Sequence, residues 1–133
     1  IGIIITKWIK YNDGSSFFNG GVVAYSNSIK MKALDVNQST LDNHGAVSEE
    51  TALEMARGVR ISMDAEIGLS TTGIAGPTGG TDEKPVGLVY VGISTDGYEK
   101  VYRFIFTPHR KTNKSMTSQA ALNITRIYLL NGL

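Results

Sequence analysis

The order of patterned segments predicts an α/β domain whose mixed sheet is covered by helices on both faces. Three observations carry this. Residues 49–63 repeat apolar side chains at helical spacing. Residues 67–72 and 87–94 are apolar runs of strand length, and the second turns through Thr95-Asp96-Gly97 into a run that alternates. The chain then closes on a long helical pattern.

Taken in order, residues 1–9 are apolar and fit helix or strand equally, with Trp8 expected in the core. Asn12-Asp13-Gly14 signals a turn, and Ser15 and Ser16 can cap a short helical turn through Phe17 and Phe18. Asn19-Gly20-Gly21 breaks it. Residues 21–26 (GVVAYS) then read as a buried strand, and 27–34 as a helix start running into a loop.

Ser48 is placed to cap the next helix, with Glu49 and Glu50 in the first turn, where negative charge suits the helix dipole. Ala52, Met55, Ala56, Val59 and Met63 form its buried face. Residues 73–80 (GIAGPTGG) are a glycine-rich loop after the strand at 67–72. Across the hairpin turn, Tyr98, Lys100, Tyr102, Phe104 and Phe106 share one strand face. The closing helix spans about 111–130, with Met116, Ala120, Ile124, Ile127 and Tyr128 as its stripe.

Composition narrows the function. The 133 residues suit a single domain, residues 1–133, large enough to bury roughly two-thirds of its unfolded surface. A net charge of +1 without a Lys/Arg cluster gives no nucleic-acid footprint. There is no cysteine, hence no disulfide framework, thiol nucleophile or Cys-ligated zinc. His44 and His109 lack metal-ligand spacing. No apolar run approaches the roughly 20 residues of a membrane span, and Ile3 to Ile5 is too short for a signal peptide. A soluble, cytoplasmic domain with no membrane partner is expected.

Four features bear on chemistry. The loop 73–80 puts four glycines within eight residues, so its backbone N–H groups can approach an anion closely, and Pro77 stiffens it. An ordinary connector between strands reads the same way, and the Gly-Lys-Ser/Thr ending of a P-loop is absent. Lys30 follows the apolar run ending at Tyr25-Ser26-Asn27; desolvation there would lower its pKa and suit a general base, although a surface lysine is the commoner outcome. Ser16 has no nearby histidine and reads alone as a cap, yet Ser/Lys pairs are a known hydrolase arrangement. Arg110 is a cation at a helix start, a mildly unfavourable place that a bound phosphate would explain. Lys84, in Asp82-Glu83-Lys84-Pro85, reads as a solvated charge, and Asn123-Ile124-Thr125 as an unused sequon inside a packed helix.

Longer stretches carry a resemblance. Asp13-Gly14-Ser15-Ser16, residues 19–30 (NGGVVAYSNSIK), 44–50 (HGAVSEE) and above all 72–87 (TGIAGPTGGTDEKPVG) resemble the PGSS, GGVVAYSNxxK, HGAVSEE and TGIAGPxGGxxEKPVG segments of the CinA C-terminal domain family. The resemblance covers nearly the whole chain from about Asp13. It implies a three-layer α/β/α sandwich with a mixed central sheet of about five strands. It also implies conversion of nicotinamide mononucleotide to nicotinic acid mononucleotide and ammonia by a Ser/Lys mechanism.

Carried over by position, the resemblance makes Ser16 the nucleophile, Lys30 the base that takes its proton, and Tyr25 an aid to proton transfer. Thr72, with the backbone of Gly73, Ile74, Ala75 and Gly76 and the following Pro77, would contact substrate or stabilise the oxyanion. The family's Gly-Asp-Arg segment falls on Pro108-His109-Arg110, where only Arg110 is kept for the substrate phosphate. Ser15 and Ser16 are adjacent, and the sequence does not choose between them.

The implied partner is a small-molecule nucleotide, with no metal, no cofactor, no nucleic acid and a homo-oligomer compatible. The family's ESCTGG motif aligns only at Ile1-Gly2, so an N-terminally incomplete domain lacking one strand is expected. That departure keeps a second reading open: a non-catalytic nucleotide-binding or assembly module.

Overall fold

The computed structural model describes residues 16–131. The expectations for residues 1–9, Asn12-Asp13-Gly14 and Ser15, including Trp8 in the core, lie outside the described residues. Four helices and three strands follow in the order α1 (Asn27–Leu34), α2 (Gln38–His44), α3 (Glu49–Ser62), β1 (Gly68–Gly73), β2 (Leu88–Ser94), β3 (Glu99–Ile105) and α4 (Arg110–Asn131).

Local chemistry sets the helix ends. The Ser26 hydroxyl accepts the Ile29 N–H at 3.2 Å and starts α1. Asp35 ends that helix with a left-handed backbone, φ 53°. Ser48 accepts the Thr51 N–H at 3.2 Å and starts α3, with Glu49 and Glu50 in its first turn as expected. Helix α2, which the sequence did not announce, is started from outside. Its cap residue Asn37 makes no side-chain cap bond, and the Glu54 carboxylate on α3 accepts the Asn37 N–H at 2.8 Å and the Thr40 hydroxyl at 2.7 Å.

The sheet among the described residues is three-stranded and antiparallel throughout, in the order β1-β2-β3, rather than a mixed sheet of about five strands. Part of the difference is the segment 21–26. Val22 and Ala24 are half-buried and their neighbours exposed, an alternation of strand type, yet residues 21–25 pair with no strand among the described residues and carry no regular structure. Alternation fixes which side chains face inward; a strand also needs a neighbouring backbone to bond.

Helix α3 covers one face of the sheet and α4 the other. Gly68, Ser70 and Thr72 of β1 and Gly92 of β2 face α3: the Ser70 hydroxyl donates to Ala52 O at 2.5 Å. Val89, Val91 and Ile93 of β2 face α4 and form a core with Ala121 and Ile124, joined by Leu69, Tyr98, Tyr102, Phe104, Phe106 and Tyr128. A second core, Leu34, Val36, Leu41 and Met55, lies between α1, α2 and α3. The stripe expected on the last helix is displaced. Met116 and Ile127 are exposed, and the buried face runs through Asn113, Thr117, Ser118, Ala121, Ile124 and Thr125. The hydroxyls of Thr117, Ser118 and Thr125 donate to main-chain carbonyls one turn earlier, which offsets the cost of burying them. No helix among the described residues is long and apolar enough to cross a membrane.

Candidate functional site

Of the residues singled out from the sequence, Thr72, the glycine-rich loop and Arg110 meet at the end of β1, and Lys30 lies on α1. Lys30 lies in the first turns of α1 and is 7% exposed. Its Nζ donates to Ala24 O at 3.2 Å, a neutral carbonyl of the extended segment. No carboxylate pairs with it among the described residues. Burial without a counter-charge holds its pKa below the ordinary 10.5 and favours the neutral amine. Ala24 and Ala46 pack against the same core between α1, α2 and α3. The Thr72 hydroxyl, buried on β1, donates to Ala46 O at 2.6 Å. Lys30 and Thr72 are therefore anchored through neighbouring residues of one cluster.

The glycine-rich loop is held on three sides. Gly73 closes β1 opposite Val89, and any Cβ there would come within 2.6 Å of Leu88 O. The Ile74 N–H donates to Leu88 O at 2.8 Å, and Ile74 O accepts the Gly87 N–H at 2.8 Å. Gly76 has φ +85°, and a Cβ on it would meet Pro108 O at 2.4 Å, so the loop packs on the linker before α4. Arg110, the first residue of α4, reaches back with Nη1 3.4 Å from Gly76 O. Pro77 is exposed and follows a cis Gly76–Pro77 bond. Of the loop donors, Ile74 is committed, while the N–H groups of Ala75 and Gly76 bond no main-chain carbonyl among the described residues.

Other residues stand apart. Ser16 is exposed in a turn, and the hydrogen bond of the Lys30 ammonium goes to Ala24 rather than to Ser16. Tyr25 is 88% exposed and its hydroxyl makes no hydrogen bond to Lys30. Lys84 does not behave as a solvated charge. Its Nζ donates to His44 O at 2.5 Å, placing a cation on the last residue of α2 and pinning the loop to the α2–α3 turn.

The sequence missed a crevice on the α4 side of β1. Thr71, Thr72, Gly73, Ala75 and Val89 line one wall, and Asn113, Lys114, Thr117 and Ser118 the other. It is small and open to solvent, with about 20 Å³ of space for the centre of a water molecule. The i, i+4, i+5 spacing of Asn113, Thr117 and Ser118 was the available signal, obscured because the apolar stripe through Met116 drew the face elsewhere. No cluster of three His, Cys, Asp or Glu side chains suited to a metal occurs among the described residues.

Comparison with known proteins gives a consistent result. The profile of the CinA C-terminal domain matches residues 2–129. A relative from Halothermothrix orenii is 51% identical over 129 residues, and one from Clostridium tetani 46% identical over 129. Both carry the name competence-damage inducible protein, which states no reaction. The alignments cover 96% and 97% of this chain but only 31% and 32% of those proteins, so the chain spans about a third of their length.

Among solved structures, a competence/damage inducible protein from Agrobacterium tumefaciens superposes with a TM-score of 0.92 at 33% identity, covering 95% of this chain and 78% of that one. A CinA superfamily protein from Escherichia coli gives 0.88 at 31% identity, covering 99% and 74%. With a profile match over almost its full length and relatives at half identity, the chain belongs to the CinA C-terminal domain family.

Proposed function

We propose that this chain is an amidohydrolase that cleaves the carboxamide of nicotinamide mononucleotide. The observation that carries the reading is Lys30: a buried amine facing one neutral carbonyl, with no carboxylate to hold its proton. Such an amine is neutral over a wider pH range than a surface lysine and can accept a proton. The glycine loop beside Thr72 supports it by presenting the uncommitted N–H groups of Ala75 and Gly76.

The chemistry follows from those groups. A serine hydroxyl, assigned to Ser16 by the family resemblance, attacks the carboxamide carbon while Lys30 takes its proton. The carbonyl oxygen becomes an oxyanion facing the loop N–H groups. Collapse expels the amide nitrogen, which leaves as ammonia with the proton Lys30 returns. Water then attacks the acyl ester, giving Lys30 one proton, and the serine departs with that proton restored. The balance is one carboxamide and one water converted to a carboxylic acid and ammonia.

The test is ammonia release from nicotinamide mononucleotide by the purified protein, with Lys30→Met and Ser16→Ala in parallel. Turnover lost in both variants, with both still folded, supports the reading. Full turnover in Lys30→Met sinks it, and saturable binding without turnover in the wild type favours the assembly-module alternative.

A further inference from the structure

Three consecutive carbonyls in the turn between α2 and α3 are taken by side chains from three parts of the fold. The Lys84 ammonium donates to His44 O at 2.5 Å. The Thr51 hydroxyl donates to Gly45 O at 2.8 Å, and the Ser48 hydroxyl to the same oxygen at 3.0 Å. The Thr72 hydroxyl donates to Ala46 O at 2.6 Å. Ser48 and Thr51 fix the turn to α3. Thr72 stands immediately before the glycine-rich loop and Lys84 shortly after it, so one turn holds the loop from both sides.

Lys84 is committed to this contact. Asp82 and Glu83 are its neighbours in sequence, yet neither pairs with it, and its ammonium goes to a neutral carbonyl 40 residues away. His44 ends α2, where the negative end of the helix dipole suits a cation. Gly45 has φ +79°, and a Cβ there would stand 3.3 Å from Lys84 Nζ, so glycine leaves the ammonium its space.

The anchor reaches the loop through the backbone. Lys84 O accepts the Thr81 N–H at 2.8 Å, and the Lys84 N–H donates to the Thr81 hydroxyl at 3.0 Å, which closes the turn 81–84. Two residues on, Val86 supports two of the glycines. A Cβ on Gly76 would meet Val86 Cγ1 at 2.6 Å, and one on Gly80 would meet Val86 N at 2.5 Å. The Gly87 N–H then donates to Ile74 O at 2.8 Å. Ala75 and Gly76, with their uncommitted N–H groups, thus rest on the stretch 84–87. Among the described residues, the one side-chain hydrogen bond that stretch makes to the α2–α3 turn is that of Lys84.

We infer, resting on the amidase reading, that Lys84 is a positioning residue: through residues 84–87 it holds the loop N–H groups where the oxyanion forms. It touches no reacting atom. Its effect falls on the alignment of the donors and not on substrate affinity or on the proton of Lys30. A shift of about 1 Å in such groups can cost roughly a hundredfold in rate.

Ammonia release from nicotinamide mononucleotide and amide hydrogen exchange, on the wild type, Lys84→Met and Lys84→Arg, test this. Lys84→Met should lower kcat by about 10–100-fold, with KM changed by less than about threefold and the pH at which activity rises unchanged. Lys84→Arg, which can still donate to His44 O, should recover most of the loss. The Ile74, Thr81 and Gly87 amides should exchange about tenfold faster in Lys84→Met, with those of α3 unchanged. Lys84→Gln keeps a neutral donor one bond shorter and should fall between the two; it carries the comparison if Lys84→Met does not fold.

A kcat untouched by Lys84→Met overturns the inference, as does a loss confined to KM. Faster exchange spread evenly over α3 and the loop, with kcat per folded molecule kept, would make Lys84 a contributor to stability alone. Failure of the amidase reading looks different: the wild type itself releases no ammonia, while exchange at the loop amides still accelerates in Lys84→Met.

Discussion

The two faces of the sheet are built by different means. On the α3 face, backbone meets backbone. A Cβ added at Gly58 of α3 would lie 1.8 Å from Leu34 O, one at Gly68 of β1 would lie 2.1 Å from Ala56 O, and one at Gly92 of β2 would lie 2.7 Å from Ala52 O. Ala52 and Ala56 are fully buried in that layer. On the α4 face, branched and aromatic side chains separate helix from strand, and polar residues line the open crevice. Close backbone approach leaves no room for a ligand, whereas a side-chain layer can be left partly unfilled beside β1. The layer between α3 and the sheet therefore serves as the rigid frame, and the α4 layer is the one that side chains fill.

The comparison breaks most easily at Gly58. Gly58→Ala puts a methyl group inside the Leu34 carbonyl, an overlap that only separation of α1 from α3 relieves. The expected loss exceeds about 4 kcal/mol, enough to leave little folded protein at 25 °C. A cooperative urea transition with a midpoint near that of the wild type would show that the layers are not in backbone contact. On the other face, Ile93→Ala deletes a fully buried side chain from the α4 core and should cost about 2–5 kcal/mol. Here the neighbours can relax, so a folded variant with a lower urea midpoint is expected.

The same contrast explains what the sequence disclosed. The Ser48 cap, the 52/55/56 face of α3, the Thr95-Asp96-Gly97 hairpin and the shared face of Tyr98, Tyr102, Phe104 and Phe106 depend on neighbours along the chain or across one turn. The glycine loop was also legible, because φ +85° at Gly76 and the close approach of Pro108 admit only glycine. Partnerships made across the fold were hidden. Lys84 on the last carbonyl of α2 and Glu54 capping α2 from α3 are separated by 40 and 17 residues. The buried face of α4 was misread because hydroxyls that bond their own helix turn count as polar in a pattern yet bury readily. Burial of Lys30 goes against the commoner outcome of a surface lysine, and the exposure of Tyr25 carried no signal in the sequence.

Lys30 supplies a pH-dependent test of the α3-side frame. Its folded pKa lies below the unfolded value, so between the two the unfolded chain binds the extra proton and wild-type stability rises with pH. The lysine contribution is fully present above the unfolded value and is lost as pH falls through the folded one. Relative to Lys30→Met, the wild type should gain stability as pH is raised toward about 10.4. Urea midpoints of both proteins between pH 7 and 10.5 measure this, and a constant difference would mean that the amine is solvated. The activity of the wild type should rise with pH as Lys30 loses its proton, at a lower pH than an ordinary lysine would give, if Lys30 is the base.

At the edge of the α3 face sits a polar clasp of smaller weight. Arg57 of α3 donates from Nε to both Glu99 carboxylate oxygens on β3, at 2.7 and 2.8 Å, and Glu99 also accepts the hydroxyl of fully buried Ser94 at 2.9 Å. The Arg57 hydrogen bonds hold the Glu99 carboxyl below its ordinary range. Its contribution is therefore present at neutral pH and fades as pH falls through the folded value. The pair is partly exposed, so Arg57→Gln should cost only about 0.5–1 kcal/mol at pH 7 and progressively less in acid. A loss above about 2 kcal/mol would mean that the frame relies on this ion pair and not only on backbone contact.

The smallest expected effect separates the faces most sharply. Thr71→Val replaces the unpartnered hydroxyl of the crevice with a methyl of nearly the same shape. A hydroxyl buried without a partner contributes nothing favourable to folding, so ligand-free stability should be unchanged or higher by up to about 1 kcal/mol. The matching change on the α3 face, Ser70→Ala, removes a hydroxyl that donates to Ala52 O, a carbonyl still engaged within its own helix, and should cost about 1 kcal/mol. Opposite signs at adjacent residues of one strand would show that the α3-side hydroxyl serves the fold and the α4-side hydroxyl does not. Equal losses at both would mean that Thr71 is structural, and the asymmetry between the faces would then be one of packing alone.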